Sequence, residues 1–381
     1  MNSVSKPPLI RLHYRDPEGW EGVLVVDSLV NGVAMGGCRF TRTVDANEVG
    51  RLARGMTRKN QVLNVAMGGA KCGIRYNPRD SKKQEVLAKF YSAIKPYVLG
   101  TYATGPDMNT AGEELDSIME QIGVQWRLQA AVPNQADVAA VRAEYEQALA
   151  LQTGRFTFGY ARTGYGAAAC ALTAAKHKGM DDQLSLAVHG FGMVGSAAAG
   201  AFVDAGHKVV GVADAGGGYY CEAGFDVDAL IAGRGSDSLL TRESMPSNTV
   251  TYPSEQAIAA KCDVLMLAAT KDAIHAGNVG DVDCKIVCEP ANIALTTDAV
   301  YALHAREIPV IPDYIASGGG VVSAVKLIRR EFSHTDGALI RNQLESHLTE
   351  VTLKALDVSE SKRLPIPLAM SPDAGLYDSN A

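Results

Sequence analysis

The stretch LSLAVHGFGMVG (184–195) decides how the second half of the chain is read. An apolar run ends at His189, and Gly190, Gly192 and Gly195 follow in the spacing G-x-G-x-x-G. Alone, that pattern is weak. Here it follows a predicted strand and opens a predicted Ala-rich helix ending near Gly206. A second apolar run, KVVGVAD (208–214), comes next, and its terminal Asp214 lies 24 residues after Gly190. This is the context that a dinucleotide-binding turn requires. The first glycine makes a tight turn, the second lets the backbone approach a pyrophosphate, and the third lets helix and strand close on each other. Met193 and Val194 begin the helix whose free N–H groups face the phosphates. Asp214 is placed to accept from ribose hydroxyls, which favours NAD, because a carboxylate repels a 2′-phosphate. NADP is not excluded: the small Ala215–Gly218 segment would admit a phosphate if an Arg or Lys approached from elsewhere.

Working outward, further short apolar runs follow at DVLMLAA (263–269), KIVCE (285–289) and IPVIPD (308–313). They do not alternate and are bounded by turns or helical patterns, as buried parallel strands are. Residues 151–325 are therefore expected to form a doubly wound nucleotide domain of α/β class, entered through the small-residue helix GAAACALTAAKHKG (166–179). Residues 1–150 mix the β-rich GVLVVDSLV (22–30) with a helix over Asp45–Gln61. Its stripe is read as Val49, Leu52, Met56 and Asn60. Residues 127–150 are read as a helical connector at the boundary. Residues 326–381 are read as a helical segment, with a long helix through Leu339–Leu356, packing back on the first domain.

Composition narrows the function classes. The chain has 381 residues, 47% hydrophobic and 20% charged, with a net charge of −6. It is long enough for two domains with full cores. The acidic balance argues against nucleic-acid partners, which call for a dense basic surface. No apolar run approaches a bilayer span, and the opening residues lack the apolar core of a secretory signal. A cytoplasmic protein with no membrane partner is expected. Its seven scattered cysteines fit reduced, buried thiols. Cys284 and Cys288 lie four apart, but no second pair or nearby His completes a metal site, and none is expected.

Two lysines of the first domain carry chemical interest. Lys59, in GMTRKNQ, stands at a helix end, and Lys71, in MGGAKCGI, stands 12 residues later in a Gly-rich turn. Asp107 lies in the turn-rich TGPDMNT (104–110). Burial and a neighbouring ammonium both favour a neutral lysine able to act as a base near neutral pH. Spacing by itself favours the plainer reading, solvated lysines beside ordinary turns.

The ordered set GMTRKNQVLNVAMGGAKCGI, ATGPDMNTAGEELDSIM, ARTGYGAAA, HGFGMVG, CEPANIALTTDA and VIPDYIASGGGVVSA resembles the glutamate/leucine/phenylalanine/valine dehydrogenase family over residues 25–330. The resemblance implies an enzyme that oxidises an L-amino acid to a 2-oxo acid and ammonia with NAD or NADP. Its two domains would be an N-terminal substrate domain and a Rossmann domain, and it would be a homo-oligomer. By the same resemblance Lys59 binds the α-carboxylate, Lys71 is the catalytic lysine that activates water, and Asp107 is the catalytic aspartate. Thr163 lies near the nicotinamide amide, and Asn292 lies beside the nicotinamide ribose and the substrate.

The resemblance also bears on substrate choice. NGVAMGGCRF (31–40) resembles the segment shaping the side-chain pocket, and glutamate enzymes usually carry a lysine just before the Gly-Gly. Here that position, before Gly36, is Met35. A distal carboxylate would lose its obvious partner at a cost, so an apolar or uncharged side chain is expected. Ser323, in GGGVVSA, instead matches a serine used by glutamate enzymes. Glutamate oxidation and imine reduction on the same scaffold are the alternatives, and a non-catalytic NAD-binding regulatory subunit is the alternative of another class.

Overall fold

The computed structural model describes residues 7–135, 137–235, 237 and 239–370. The chain divides into two compact units. One runs up to Gln147 and includes Ala324–His334; the other holds Ala148–Ser323 and the residues from Thr335. Among the described residues no helix is long and apolar enough to cross a membrane.

The first unit opens with β1 (Ile10–Arg15), β2 (Glu21–Val26), β3 (Ala34–Thr41), α1 (Ala46–Val62) and β4 (Gly68–Arg75). Then come α2 (Lys83–Ala93), α3 (Lys95–Gly100), β5 (Tyr102–Pro106) and α4 (Gly112–Gln121), and the chain leaves through α5 (Val138–Ala150). The strand order is β1-β2-β4-β3-β5, with β3 parallel to both its neighbours and β2 antiparallel to β1 and β4. Period-2 alternation in β2 feeds two layers. Val23 and Val25 join Val44, Val49 and Ala53 under α1, while Leu24 and Val26 join Phe90, Tyr91 and Leu115 under α2 and α4.

Asp45 starts α1 by accepting the Glu48 N–H. The buried face of α1 is Val49, Ala53, Thr57 and Asn60; Val49 and Asn60 of the expected stripe lie on it, while Leu52 and Met56 lie half-buried on its flank. The reason is the close approach to β4, where a Cβ on Gly69 would stand 2.1 Å from the Thr57 nitrogen. Only small side chains fit that contact. Among the described residues of 127–137 only two short 3-10 helices form, Gln129–Ala131 and Pro133–Gln135, and Asn134, Gln135 and Asp137 adopt left-handed φ values of 54°, 55° and 36°. The expected connector helix therefore begins only at Val138.

The second unit begins with α6 (Phe158–His177), β6 (Ser185–His189), α7 (Met193–Asp204), β7 (Lys208–Asp214) and β8 (Gly217–Tyr220). It continues with α8 (Val227–Ala232), β9 (Val250–Tyr252), β10 (Val264–Leu267), β11 (Ile286–Cys288), α9 (Thr297–Ala305), β12 (Val310–Ile311) and α10 (Asp313–Ala316). Helix α11 (Gly319–Ile328) starts here and ends in the first unit; α12 (Gly337–Lys362) and α13 (Ile366–Ala369) return to the second. The sheet order is β12-β11-β10-β6-β7-β8-β9. The five expected strands are all present and parallel. Two strands were not expected. β8 and β9 pair antiparallel and fill the place where a third parallel strand would stand. The run of three glycines after Asp214 hid β8, since glycine carries no strand signal.

The C-terminal segment differs from the expectation as well. Only Ala324–His334 joins the first unit, while α12 packs on α6. Its buried residues Ile340, Leu344, Leu348, Val351 and Ala355 recur at helical spacing. A Cβ on Gly166 of α6 would stand 2.4 Å from the Leu348 side chain, so the two helices meet closely where α6 is all glycine and alanine.

Candidate active site

In the first unit, β4 carries Lys71 with a side chain only 7% exposed. Its Nζ stands 3.2 Å from Asp107 Oδ1, just beyond the end of β5. Arg39, on β3 between those two strands, donates from Nε to Asp107 Oδ2 at 2.7 Å and from Nη1 to Glu48 Oε1 at 2.7 Å. Glycine makes this approach possible: a Cβ on Gly37 would stand 3.0 Å from the Asp107 Cβ and 2.5 Å from the Pro106 carbonyl oxygen. Gly36 is tighter still, 1.7 Å from the Ala70 oxygen by the same measure. The Tyr102 hydroxyl donates to the Gly36 carbonyl at 3.0 Å, holding that strand from beneath.

Burial works to raise the Asp107 carboxyl, but the Lys71 charge and the Arg39 guanidinium outweigh it and hold it below the ordinary value. The sequence reading set a second ammonium, Lys59, beside Lys71; the structure gives Lys71 a carboxylate partner. Lys59 itself is half-buried in the last turn of α1. Met35 is buried on β3, in register with Gly69 and Ala103. Arg39 was not singled out from sequence. Its signal was available: it follows Gly37 by two residues in a strand, which puts both on one face.

In the second unit, the turn after β6 is built as the fingerprint requires. Gly190 has φ 106°, and a Cβ there would strike the Ala268–Ala269 peptide at 2.7 Å. A Cβ on Gly195 would stand 2.1 Å from the Gly190 oxygen, so the third glycine sets the strand–helix contact. Gly192, at the N-cap of α7, faces open space, which leaves the backbone accessible to a ligand phosphate. Met193 is exposed and Val194 half-buried in the first turn. Asp214 ends β7; its Oδ1 accepts from Gly216 N at 2.8 Å and its Oδ2 from Leu240 N at 2.6 Å. These residues fit a dinucleotide.

Asn292 is exposed on the loop that follows β11, at the carboxyl edge of the sheet. Two carboxyl groups clamp that loop. Glu289, fully buried, accepts Leu295 N–H at 3.1 Å, and Asp313 accepts Ile293 N–H at 3.2 Å. Burial, with Asp313 nearby, pushes the Glu289 carboxyl well above its ordinary value. Between them Ile293 is held at φ 51°, a conformation costly for a β-branched residue, with its side chain 50% exposed. The Asp272 N–H donates to the Ile293 carbonyl at 2.8 Å and fixes the other side. Neither Glu289 nor Ile293 carried a sequence signal of this role.

Thr163 is half-buried on α6 where Gly319 and Gly320 approach it. Ser323 is fully buried, accepting from Arg162 Nη1 at 3.3 Å and donating to the Gly320 carbonyl at 3.2 Å.

Residues 157–371 match the family model described as Glutamate/Leucine/Phenylalanine/Valine dehydrogenase, and residues 10–123 match its N-terminal companion, described as a dimerisation domain. A glutamate dehydrogenase of Thermotoga maritima is 32% identical over 82% of this chain and 73% of its own length. A catabolic NAD-specific glutamate dehydrogenase of Bacillus subtilis is 32% identical over 76% of this chain and 66% of its own. An NADP-specific one of Saccharolobus shibatae is 30% identical over 77% and 67%. The chain thus spans about two thirds to three quarters of these relatives' length. Among solved structures, the Leu-bound hetero-hexameric glutamate dehydrogenase of Thermus thermophilus superimposes with a TM-score of 0.72 at 25% identity, covering 95% of this chain and 86% of its own. The chain belongs to the glutamate/leucine/phenylalanine/valine dehydrogenase family of NAD(P)-dependent amino-acid dehydrogenases.

Proposed function

We propose that this chain oxidatively deaminates an L-amino acid with an apolar or uncharged side chain to the 2-oxo acid and ammonia, reversibly. The observation that carries the reading is the pair of buried Lys71 and half-buried Asp107 at 3.2 Å, with Arg39 holding the carboxylate. The nicotinamide dinucleotide, held by Gly190, Gly192, Gly195, the first turn of α7 and Asp214, supplies the acceptor for the α-hydrogen. Thr163 and Asn292 are assigned to its nicotinamide end. Lys59 takes the α-carboxylate through a charge-assisted contact. Asp107, a carboxylate kept in its charged form by its two cations, exchanges protons with the substrate nitrogen. Lys71 passes its proton to Asp107 and then, as the neutral amine, takes a proton from the water that attacks the oxidised carbon, while Asp107 hands its proton on to the leaving nitrogen. Met35 and Gly36 shape the side-chain end, where a buried methionine offers a distal carboxylate no partner.

Glutamate is the second reading, favoured by the relatives' identity and by the buried Ser323 beside Arg162. A screen of NAD(P)⁺ reduction over all L-amino acids, with 2-oxo acids plus ammonium in reverse, separates the two. Lys71→Ala is expected to lower kcat by at least about 100-fold while leaving NADH binding within about 2-fold. Full activity in Lys71→Ala overturns the mechanism. Oligomeric assembly belongs to the same proposal, supported by the match to a dimerisation domain.

A further inference from the structure

Arg234 lies just past α8, at the start of the loop that the described residues lead toward Leu240. Its Nη2 donates to the Phe191 carbonyl at 2.8 Å, inside the glycine turn, and its guanidinium carbon sits 5.2 Å from the Phe191 ring centroid. The loop is pinned at its far end, where Leu240 N–H donates to Asp214 Oδ2 at 2.6 Å. Within the loop Gly235 N–H reaches the Leu239 carbonyl at 2.9 Å, and the Thr241 hydroxyl reaches the Gly233 carbonyl at 2.6 Å. Arg234 thus contacts the glycine turn while Leu240, six residues on, contacts the acidic strand end, the two features between which a dinucleotide fold seats the adenosine ribose.

The charge of Arg234 is not compensated there. Among the described residues it makes no ion pair, and its Nε is buried without a partner. The next arginine shows the contrast. Arg242 donates from its two terminal nitrogens to the carbonyls of Met245, Pro246, Ser247 and Thr249, which uses four of its five donors. A guanidinium half-removed from water with one neutral acceptor is unfavourable unless an anion completes it. A phosphate matches its planar fork of donors.

We propose that Arg234 receives the 2′-phosphate of NADP(H), so that the chain binds both coenzymes despite Asp214. The inference rests on the dinucleotide reading of the glycine turn. Asp214 favours the unphosphorylated ribose, and Arg234 offsets its repulsion of the 2′-phosphate. Titration of NADPH and NADH by nucleotide fluorescence tests this without any turnover. The wild-type chain is expected to bind both. Arg234→Gln is expected to weaken NADPH binding by about 10-fold or more and NADH binding by less than about 3-fold. It should also flatten the salt dependence of NADPH binding. Asp214→Asn removes the opposing charge, at the cost of one of the two backbone hydrogen bonds that the carboxylate accepts, so it should tighten NADPH relative to NADH. It serves equally if Arg234→Gln does not fold. Competition by 2′,5′-ADP against 5′-AMP should follow the same order.

Equal losses for the two coenzymes in Arg234→Gln overturn the proposal. So does a wild-type chain that binds NADH alone, or an Asp214→Asn chain whose preference does not move. A wild-type chain that binds neither coenzyme overturns the dinucleotide reading itself, a separate result.

Discussion

Arg39 shows how a single side chain governs another's chemistry. It spans Asp107 and Glu48, both at 2.7 Å, and so fixes the carboxylate that faces Lys71. Burial alone would push Asp107 up; Lys71 and Arg39 together keep it down. If Asp107 works as the carboxylate, activity is present above its pKa and is lost as pH falls through it. Arg39→Leu removes one of the two cations and leaves the burial, so the pKa rises. The acid limb of the kcat/KM profile is expected to move to higher pH by about one unit. An unmoved limb would assign that limb to another group.

At the scale of an element, the loop from Glu289 to Leu295 is held against its own preference. Ile293 sits at φ 51° because backbone donors to Asp313 and Glu289, and the Asp272 N–H on its carbonyl, over-determine the turn. The left-handed conformation costs an isoleucine about 1–2 kcal/mol, and asparagine tolerates it better. With half of its side chain in solvent, little burial is lost on replacement. Ile293→Asn is expected to raise stability by about 1 kcal/mol, read from the urea midpoint. A destabilised variant would show that the exposed isoleucine has a packing partner. The α6–α12 contact obeys the opposite logic. There glycine and alanine permit the closeness, and Leu348 fills the space they leave.

Across the whole molecule, stability should respond to pH from both directions. Asp107, Asp204 and Asp263 are all held below their ordinary value, against burial, by cations or hydrogen bonds. Their contribution is complete above the unfolded-chain pKa of about 3.9 and is lost as pH falls through the folded values. Glu289 acts in the opposite sense. Above about pH 4.3 the unfolded chain ionises it while the folded chain keeps its proton, so stability falls as pH rises, by up to about 1.4 kcal/mol per unit. Glu289→Gln keeps the shape and abolishes that slope. From about pH 5 to about pH 7 the variant's urea midpoint is expected to drop less than the wild type's. Parallel curves would mean that Glu289 is already ionised in the fold.

Short-range pattern was enough for much of this protein. The G-x-G-x-x-G turn, the five parallel strands and Asp214 are local features, because each rests on neighbours in the chain: an apolar run, a glycine, an acidic strand end. Lys71 and Asp107 were also visible as residues, yet their meeting was not. They are brought to 3.2 Å by a sheet that places β3 between β4 and β5, and that order is set by packing, not by spacing. The same holds for Arg39, for the carboxyl clamp around Ile293, and for Arg234, which reaches Phe191 across 43 residues of chain. Such contacts join residues whose separation carries no periodic signal, so only the folded chain decides them.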